Sequence, residues 1–268
     1  MSARRLVQKP APHQAAYYEY ERFLPMNNLT ASSTQNTFDV VSFDVVSAEL
    51  QVYGLALKVL ATAFYLPPAE PFLASFSTAE LLADWPLASG DPATERGLQL
   101  LRALFDRAQP AALLPALRED HTALFIGLMQ VDAPPWESVY LSRDHLIFDQ
   151  QTLEVREFYA RFGLQIPKLD REPDDHIGYE LLFLAHLMEQ AACALDAGDA
   201  ATAIHALEAA RTFFAAHPQQ WAVFFIERLA QHARTDYYRG LASLLEGGMK
   251  ALAPLLDDYL AILAETQA

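Results

Sequence analysis

The chain has 268 residues, 52% of them hydrophobic, and its 34 acidic residues against 19 basic ones give a net charge of −15. That balance repels nucleic acid and anionic lipid surfaces, argues against both as partners, and favours cationic ones. Alanine and leucine dominate the apolar residues, only 10 glycines are present, and the single cysteine, Cys193, permits no intrachain disulfide framework. The composition favours a compact all-α bundle over a strand-and-turn fold.

Residues 1–46 read as a flexible or loosely docked arm, with prolines, the polar run NNLTASSTQNT and the duplication FDVVS at 38–42 and 43–47. A period of five fits neither a helix nor a strand. Met26 offers an alternative start within the arm. ARRLVQK at 3–9 is similar to the core of a twin-arginine export signal, but no apolar stretch of ~7–15 residues follows it, so it fails as one. A solvated basic tail is the expectation there. Tethered by the arm, the same arginine pair could instead act as a weak pseudo-ligand for a site on its own or a neighbouring molecule.

From Ser47 onward the pattern is helical, and Leu50, Tyr53, Leu57, Leu60 and Phe64 recur at three- and four-residue spacing until Pro67-Pro68 stops the helix. Short helices follow in FLASF and STAELLADW, with Ser77 as the expected N-cap of the second. Asp91-Pro92 pairs a cap residue with proline at the first helical position, and Pro110 is expected to close the helix that it opens. LLPALREDHTALFIGLM is a further helix, and QVDAPPWESVY is a proline-stiffened loop presenting Trp136 and Tyr140. QTLEVREFYARFG ends at Gly163, and four long helical segments follow, separated by Gly198, Pro218 and a turn near Thr235-Asp236. Gly247-Gly248 and Pro254 are expected to kink or split the last one. About nine to eleven helices in one domain over 47–268 result. No apolar run reaches the ~18 residues of a membrane span, so a soluble protein is expected, and the single cysteine is compatible with a reducing compartment.

The chemistry of an enzyme is mostly missing. There is no His-Glu-x-x-His, no Glu-x-x-His, no phosphate-binding glycine loop and no Gly-x-Ser-x-Gly elbow. No cofactor or metal is expected. Cys193, in an alanine-rich run, reads as a small buried apolar residue. What stands out is EPDDHIGYELLFLAHL at 172–187, where Glu172, Asp174, Asp175 and Glu180 crowd one turn around His176. One aspartate suffices to cap the helix. The surplus repels itself unless a cation or the helix dipole offsets it, which fits a rim for a cationic ligand as well as it fits a solvated acidic turn. His176 and Glu180, with Glu172, are a weak metal-ligand set. Asp175 and His176 as an acid/base pair would diverge by about 100° on a helix.

Together, DHTALFIGLMQVDAPPWESVYL at 120–141 and EPDDHIGYELLFLAHL resemble the two signature blocks of the TorD/DmsD family of chaperones for molybdenum-containing reductases. The resemblance covers roughly residues 47–265; His121 and Met129 depart from the tryptophans that the family often carries in the first block. It implies an all-helical, non-catalytic protein that binds the twin-arginine signal peptide and the apo-form of a molybdoenzyme catalytic subunit until the molybdopterin cofactor is inserted. By motif, Leu124, Phe125, Pro135, Trp136, Tyr140, Pro173, Asp175 and His176 would line the peptide site, with Glu172 and Glu180 completing an acidic rim for two guanidinium groups. A homodimer is compatible with the sequence. The nitrate-reductase-type assembly chaperones, which bind a client N-terminus lacking an export motif, are the second reading.

Overall fold

The computed structural model describes residues 43–126 and 131–265. The expectations about the basic pair at 3–9, Met26 and most of the arm lie outside those residues. Among the described residues the chain forms eleven α-helices and one π turn, with no strand.

Helix α1, Phe43–Tyr65, begins four residues ahead of the expected Ser47, so the second FDVVS copy is its first turn. Asp44 there faces the positive end of the helix dipole. Leu50, Leu57, Leu60 and Phe64 are buried as the spacing requires, while Tyr53 is half-buried. Contrary to the expectation, α1 is long and apolar enough to cross a membrane by length and composition. Its apolar face packs along α8, Ile177–Asp196, the central helix of the fold. Helix α8 is buried on nearly every side, which is why its sequence lacks a clear polar stripe.

Helices α2, Glu70–Phe76, and α3, Ala79–Ala83, follow. Thr78, not Ser77, caps α3 by accepting from the Leu81 amide at 3.4 Å, because Ser77 still belongs to the end of α2. Asp91 caps α4, Pro92–Arg107, accepting from the amides of Ala93 and Thr94. Pro110 opens α5, Pro110–His121, instead of closing α4, as a proline at a first helical position can. Thr122–Ile126 then form a π turn. The expected loop after it contains a one-turn helix, α6, Glu137–Leu141. The series ends with α7, Gln150–Arg161, the central α8, α9, Ala200–Ala216, α10, Pro218–His232, and α11, Asp236–Glu265. Cys193, expected inside, is exposed.

Helix α11 runs unbroken through Gly247, Gly248 and Pro254. Its glycines serve contact with α4 and the preceding loop instead of a break. A Cβ on Gly97 would stand 2.7 Å from the Gly240 carbonyl oxygen, and one on Gly247 would stand 2.0 Å from Thr94 Oγ1. Gly97→Ala gains up to about 1 kcal/mol in helix propensity but forces α4 off a rigid backbone atom. The overpacking cost of roughly 1–3 kcal/mol wins, so the variant unfolds at lower urea concentration. A neutral or stabilised variant would show that the two helices have room to spare.

Candidate functional site

The two signature blocks, distant in sequence, meet through the backbone. Trp136 and His176 form an isolated antiparallel bridge in which the Glu137 amide donates to Asp175 O at 3.0 Å and the Ile177 amide to Pro135 O at 2.8 Å. The Trp136 and His176 rings meet edge-on, 5.9 Å apart. Upstream, the Ala133 amide donates to Leu124 O at 2.9 Å and Arg228 Nε donates to Asp132 O, which tie the proline loop to the π turn and to α10.

This junction determines what the crowded carboxylates do. Asp175 caps not its own helix but the neighbouring one: Oδ2 accepts from the Ser138 amide at 2.7 Å, at the start of α6, and Oδ1 from Thr152 Oγ1 at 2.7 Å. Helix α6 has no side-chain cap of its own. Asp174 is held by Arg156, whose Nε and Nη2 lie 3.1 and 2.8 Å from Oδ2. The cap of α8 is His176, whose Nδ1 accepts from the Gly178 amide at 2.9 Å. Glu180 accepts from Trp221 Nε1 at 3.0 Å, and Glu137 pairs with His217 Nδ1 at 2.8 Å.

The expectation of an open acidic rim is therefore corrected. Asp174, Asp175 and Glu180 are at most 1% exposed, and each carboxyl has at least one oxygen bonded to a partner on α6, α7 or α10, while Asp174 Oδ1 and Glu180 Oε1 are buried without one. Burial, with Glu137 and Asp175 nearby, pushes the Glu180 carboxyl far up, towards its neutral form. Asp175 and His176 do not converge on a common point, and burial pushes the imidazole down to about 3. His176 Nδ1 accepts from the Gly178 amide and Glu180 Oε2 from Trp221, and among the described residues no group of three or more histidine, cysteine, aspartate or glutamate side chains could hold a metal ion.

Glu172 is the exception. It is partly exposed and accepts from Lys168 Nζ at 2.7 Å and from the Tyr65 hydroxyl at 2.7 Å, with the Tyr179 hydroxyl 3.1 Å away. Burial alone would raise this carboxyl, but the Lys168 ammonium and the two phenols outweigh it and hold the group below its usual range.

Of the other sequence-predicted residues, Leu124, Phe125, Pro135 and Pro173 are buried, while Trp136 and Tyr140 are half-buried. Phe125 packs edge-on against Phe64, His121 and Tyr238 inside the bundle. Trp136 precedes α6 in extended conformation, and Tyr140 lies within that turn. Tyr140 stacks on Trp221 and on Phe224 of α10, which is 45% exposed. Phe224 was not singled out from the sequence, although a signal exists. Phe224 and Phe225 are adjacent on a helix and diverge by about 100°; Phe225 is fully buried, so Phe224 faces away from the core.

A family profile described as nitrate reductase delta subunit matches residues 88–227, more than half of the chain. The chain is 28% identical over 200 residues to the probable Tat proofreading chaperone DmsD of Haemophilus influenzae, covering 73% of this chain and 86% of that one. It is 28% identical over 192 residues to the Tat proofreading chaperone DmsD of Salmonella typhi, covering 72% and 84%. With the chaperone protein YcdY of Escherichia coli it shares 26% identity over 210 residues, covering 77% and 96%. The chain thus belongs to the nitrate reductase delta subunit family, which takes in the TorD/DmsD chaperones that its two signature blocks resemble.

Proposed function

We propose that the protein is a non-catalytic, cytoplasmic, system-specific chaperone that binds the twin-arginine signal peptide and the apo-form of a molybdopterin-containing reductase, holding it for cofactor insertion before export. The observation that carries this reading is the junction of the two blocks, which sets two half-buried aromatics, Trp136 and Tyr140, near the partly exposed acid Glu172 on a chain of net charge −15. The ring of His176 links them, lying against Trp136 on one side and against Tyr65, the partner of Glu172, on the other. An arginine-bearing, partly apolar peptide matches such a surface: a carboxylate takes a guanidinium in fork geometry, and half-buried aromatics take apolar side chains at low entropic cost. The names of the DmsD relatives support the same class of client. Within this reading Asp175 positions α6, and Glu172 is the arginine-facing carboxyl.

Titration calorimetry of the full chain against twin-arginine signal peptides of molybdoenzymes from the same genome tests the proposal. Micromolar binding, about −8 kcal/mol, is expected for one of them. It weakens when the arginine pair becomes Lys-Lys and falls about five- to tenfold in Glu172→Gln, the scale of one charge-assisted bond partly shared with water. Failure to bind any such peptide would refute it. The family description also names a nitrate reductase subunit, which favours the assembly-chaperone reading next; binding only to a client N-terminus without an arginine pair would select it.

A further inference from the structure

The segment that follows α6 has no role in the fold described so far. Among the described residues, Leu141, Leu146, Ile147, Phe148 and Leu153 are large apolar side chains exposed by 38% to 61%. They fall within residues 141–153 and include five of the eleven such exposed side chains. Isolated exposed leucines need no explanation, but a concentration of this kind marks a contact surface.

The backbone presenting these side chains is ordered by its own bonds and held in a costly conformation. His145 and Phe148 both have left-handed φ, 52° and 63°; histidine visits that region readily, but a bulky phenylalanine avoids it, and such strain clusters at ligand-contacting segments. His145 Nδ1 lies 2.8 Å from Val139 O, and the Leu146 amide donates to Ser142 Oγ at 3.2 Å. These contacts fold the segment back over α6, with Leu146 and Ile147 at its exposed tip. A loop without a partner would be expected to relax Phe148 and turn Leu146 and Ile147 inward, since both changes lower its free energy.

Charge limits what covers this ledge. Asp144, Glu154 and Glu157 are exposed around it, against the exposed Arg143 and an Arg161 already paired with Glu157, and the chain as a whole carries −15. A second copy brings the same acidic margin and an anionic bilayer is repelled, whereas an apolar segment joined to basic residues is complementary at both levels. The ledge also continues directly from α6, whose Tyr140, with Trp136 just ahead of the helix, belongs to the proposed client face.

We propose that Leu141, Leu146, Ile147, Phe148 and Leu153 form a docking ledge for the apolar segment that follows the arginine pair of the client's signal peptide. The inference rests on the proposed function and assigns the two parts of one peptide to two surfaces. The arginine pair goes to the Glu172 corner and the apolar run to the ledge, while Phe125, the groove residue suggested by motif, stays inside the bundle.

The test compares two synthetic peptides by fluorescence anisotropy, one the full signal peptide that the wild-type chain binds and one cut short after the arginine pair. In the double variant Leu146→Asn/Ile147→Asn, affinity for the full peptide falls about ten- to a hundredfold, the scale of losing two apolar side-chain contacts, while affinity for the short peptide is unchanged. Phe148→Gly, which removes one contact and releases the left-handed strain, weakens full-peptide binding without lowering the thermal midpoint. Full-peptide affinity equal to wild type in both variants overturns the ledge. So does an equal loss for both peptides, or a change confined to oligomeric state or to vesicle binding. If the wild-type chain binds no signal peptide at all, the reading on which the ledge rests fails, and that outcome is separate because it appears before any variant is made.

Discussion

Asp175→Ala lowers the unfolding free energy by roughly 3–5 kcal/mol, since each of two charge-assisted bonds contributes about 1.5–3 kcal/mol. The fully buried carboxyl accepts from the Ser138 amide and from Thr152 Oγ1, both at 2.7 Å. Alanine leaves both donors unpaired in a site closed to water. An opposing effect exists, because Glu137, Glu180 and Asp174 surround the position with like charge. It is the smaller one: burial pushes Glu180 towards its neutral form, Asp174 is paired with Arg156, and Glu137 with His217. For a domain of this size each kcal/mol moves the thermal midpoint by about 2–4 °C, so a fall of roughly 6–20 °C is expected in calorimetry. A variant within 1 °C of wild type would show that α6 is held by something else. The same result decides how binding data are read, because lost peptide affinity in Asp175→Ala reports a displaced α6 and not a missing arginine contact.

His176→Asn changes how stability depends on pH. The imidazole is buried and pushed down to about 3, and its Nδ1 accepts from the Gly178 amide, which only the neutral ring can do. The unfolded chain takes up a proton near the ordinary histidine value of about 6.5 and the folded chain does not. Stability present above that pH is therefore lost as pH falls, by about 1.4 kcal/mol per unit, or roughly 2–3 kcal/mol by pH 4.5. Asparagine keeps an N-cap acceptor and has no proton to take up. The variant is less stable at pH 8, having lost the ring contacts with Tyr65 and Trp136, but it lacks this part of the acid slope. His121, pushed down to about 4 by burial, contributes the same dependence to both proteins. Urea unfolding at several pH values between 8 and 4.5 separates them, and parallel curves would mean that His176 takes up its proton at the same pH in the folded and the unfolded chain.

Much of the fold is readable where a residue's effect stays local. Asp91-Pro92, Gly163 and Gly198 mark helix ends because cap geometry and left-handed backbone are decided within a turn. Where two adjacent residues offer the same chemistry, as Ser77 and Thr78 do, the choice depends on where the chain turns, and the sequence alone misplaces the cap by one. Helix α6 is invisible to periodicity, since five residues hold barely one turn and the cap comes from Asp175, across the fold. The same distance explains the misjudged rim. Glu172 through Glu180 look unpaired within their own block, yet Arg156, Thr152, Ser138 and Trp221 answer them from α6, α7 and α10. Gly247-Gly248 reads as a break for a parallel reason: the side chains that require their small size, Thr94 and Leu87, lie far upstream.

The backbone bridge between Pro135–Glu137 and Asp175–Ile177 also bears on the order in which a ribosome-borne chain is assembled. Synthesis that has passed α7 but not reached the second block leaves the amides of Glu137 and Ser138 and the carbonyl of Pro135 without the partners they have in the finished fold. A helix of one turn is far below the length that holds itself together in water. Trp136 and Tyr140 therefore come into register only after Asp175 to Ile177 have emerged and docked. The aromatic face is completed late, and a partly made chain does not present it to a client.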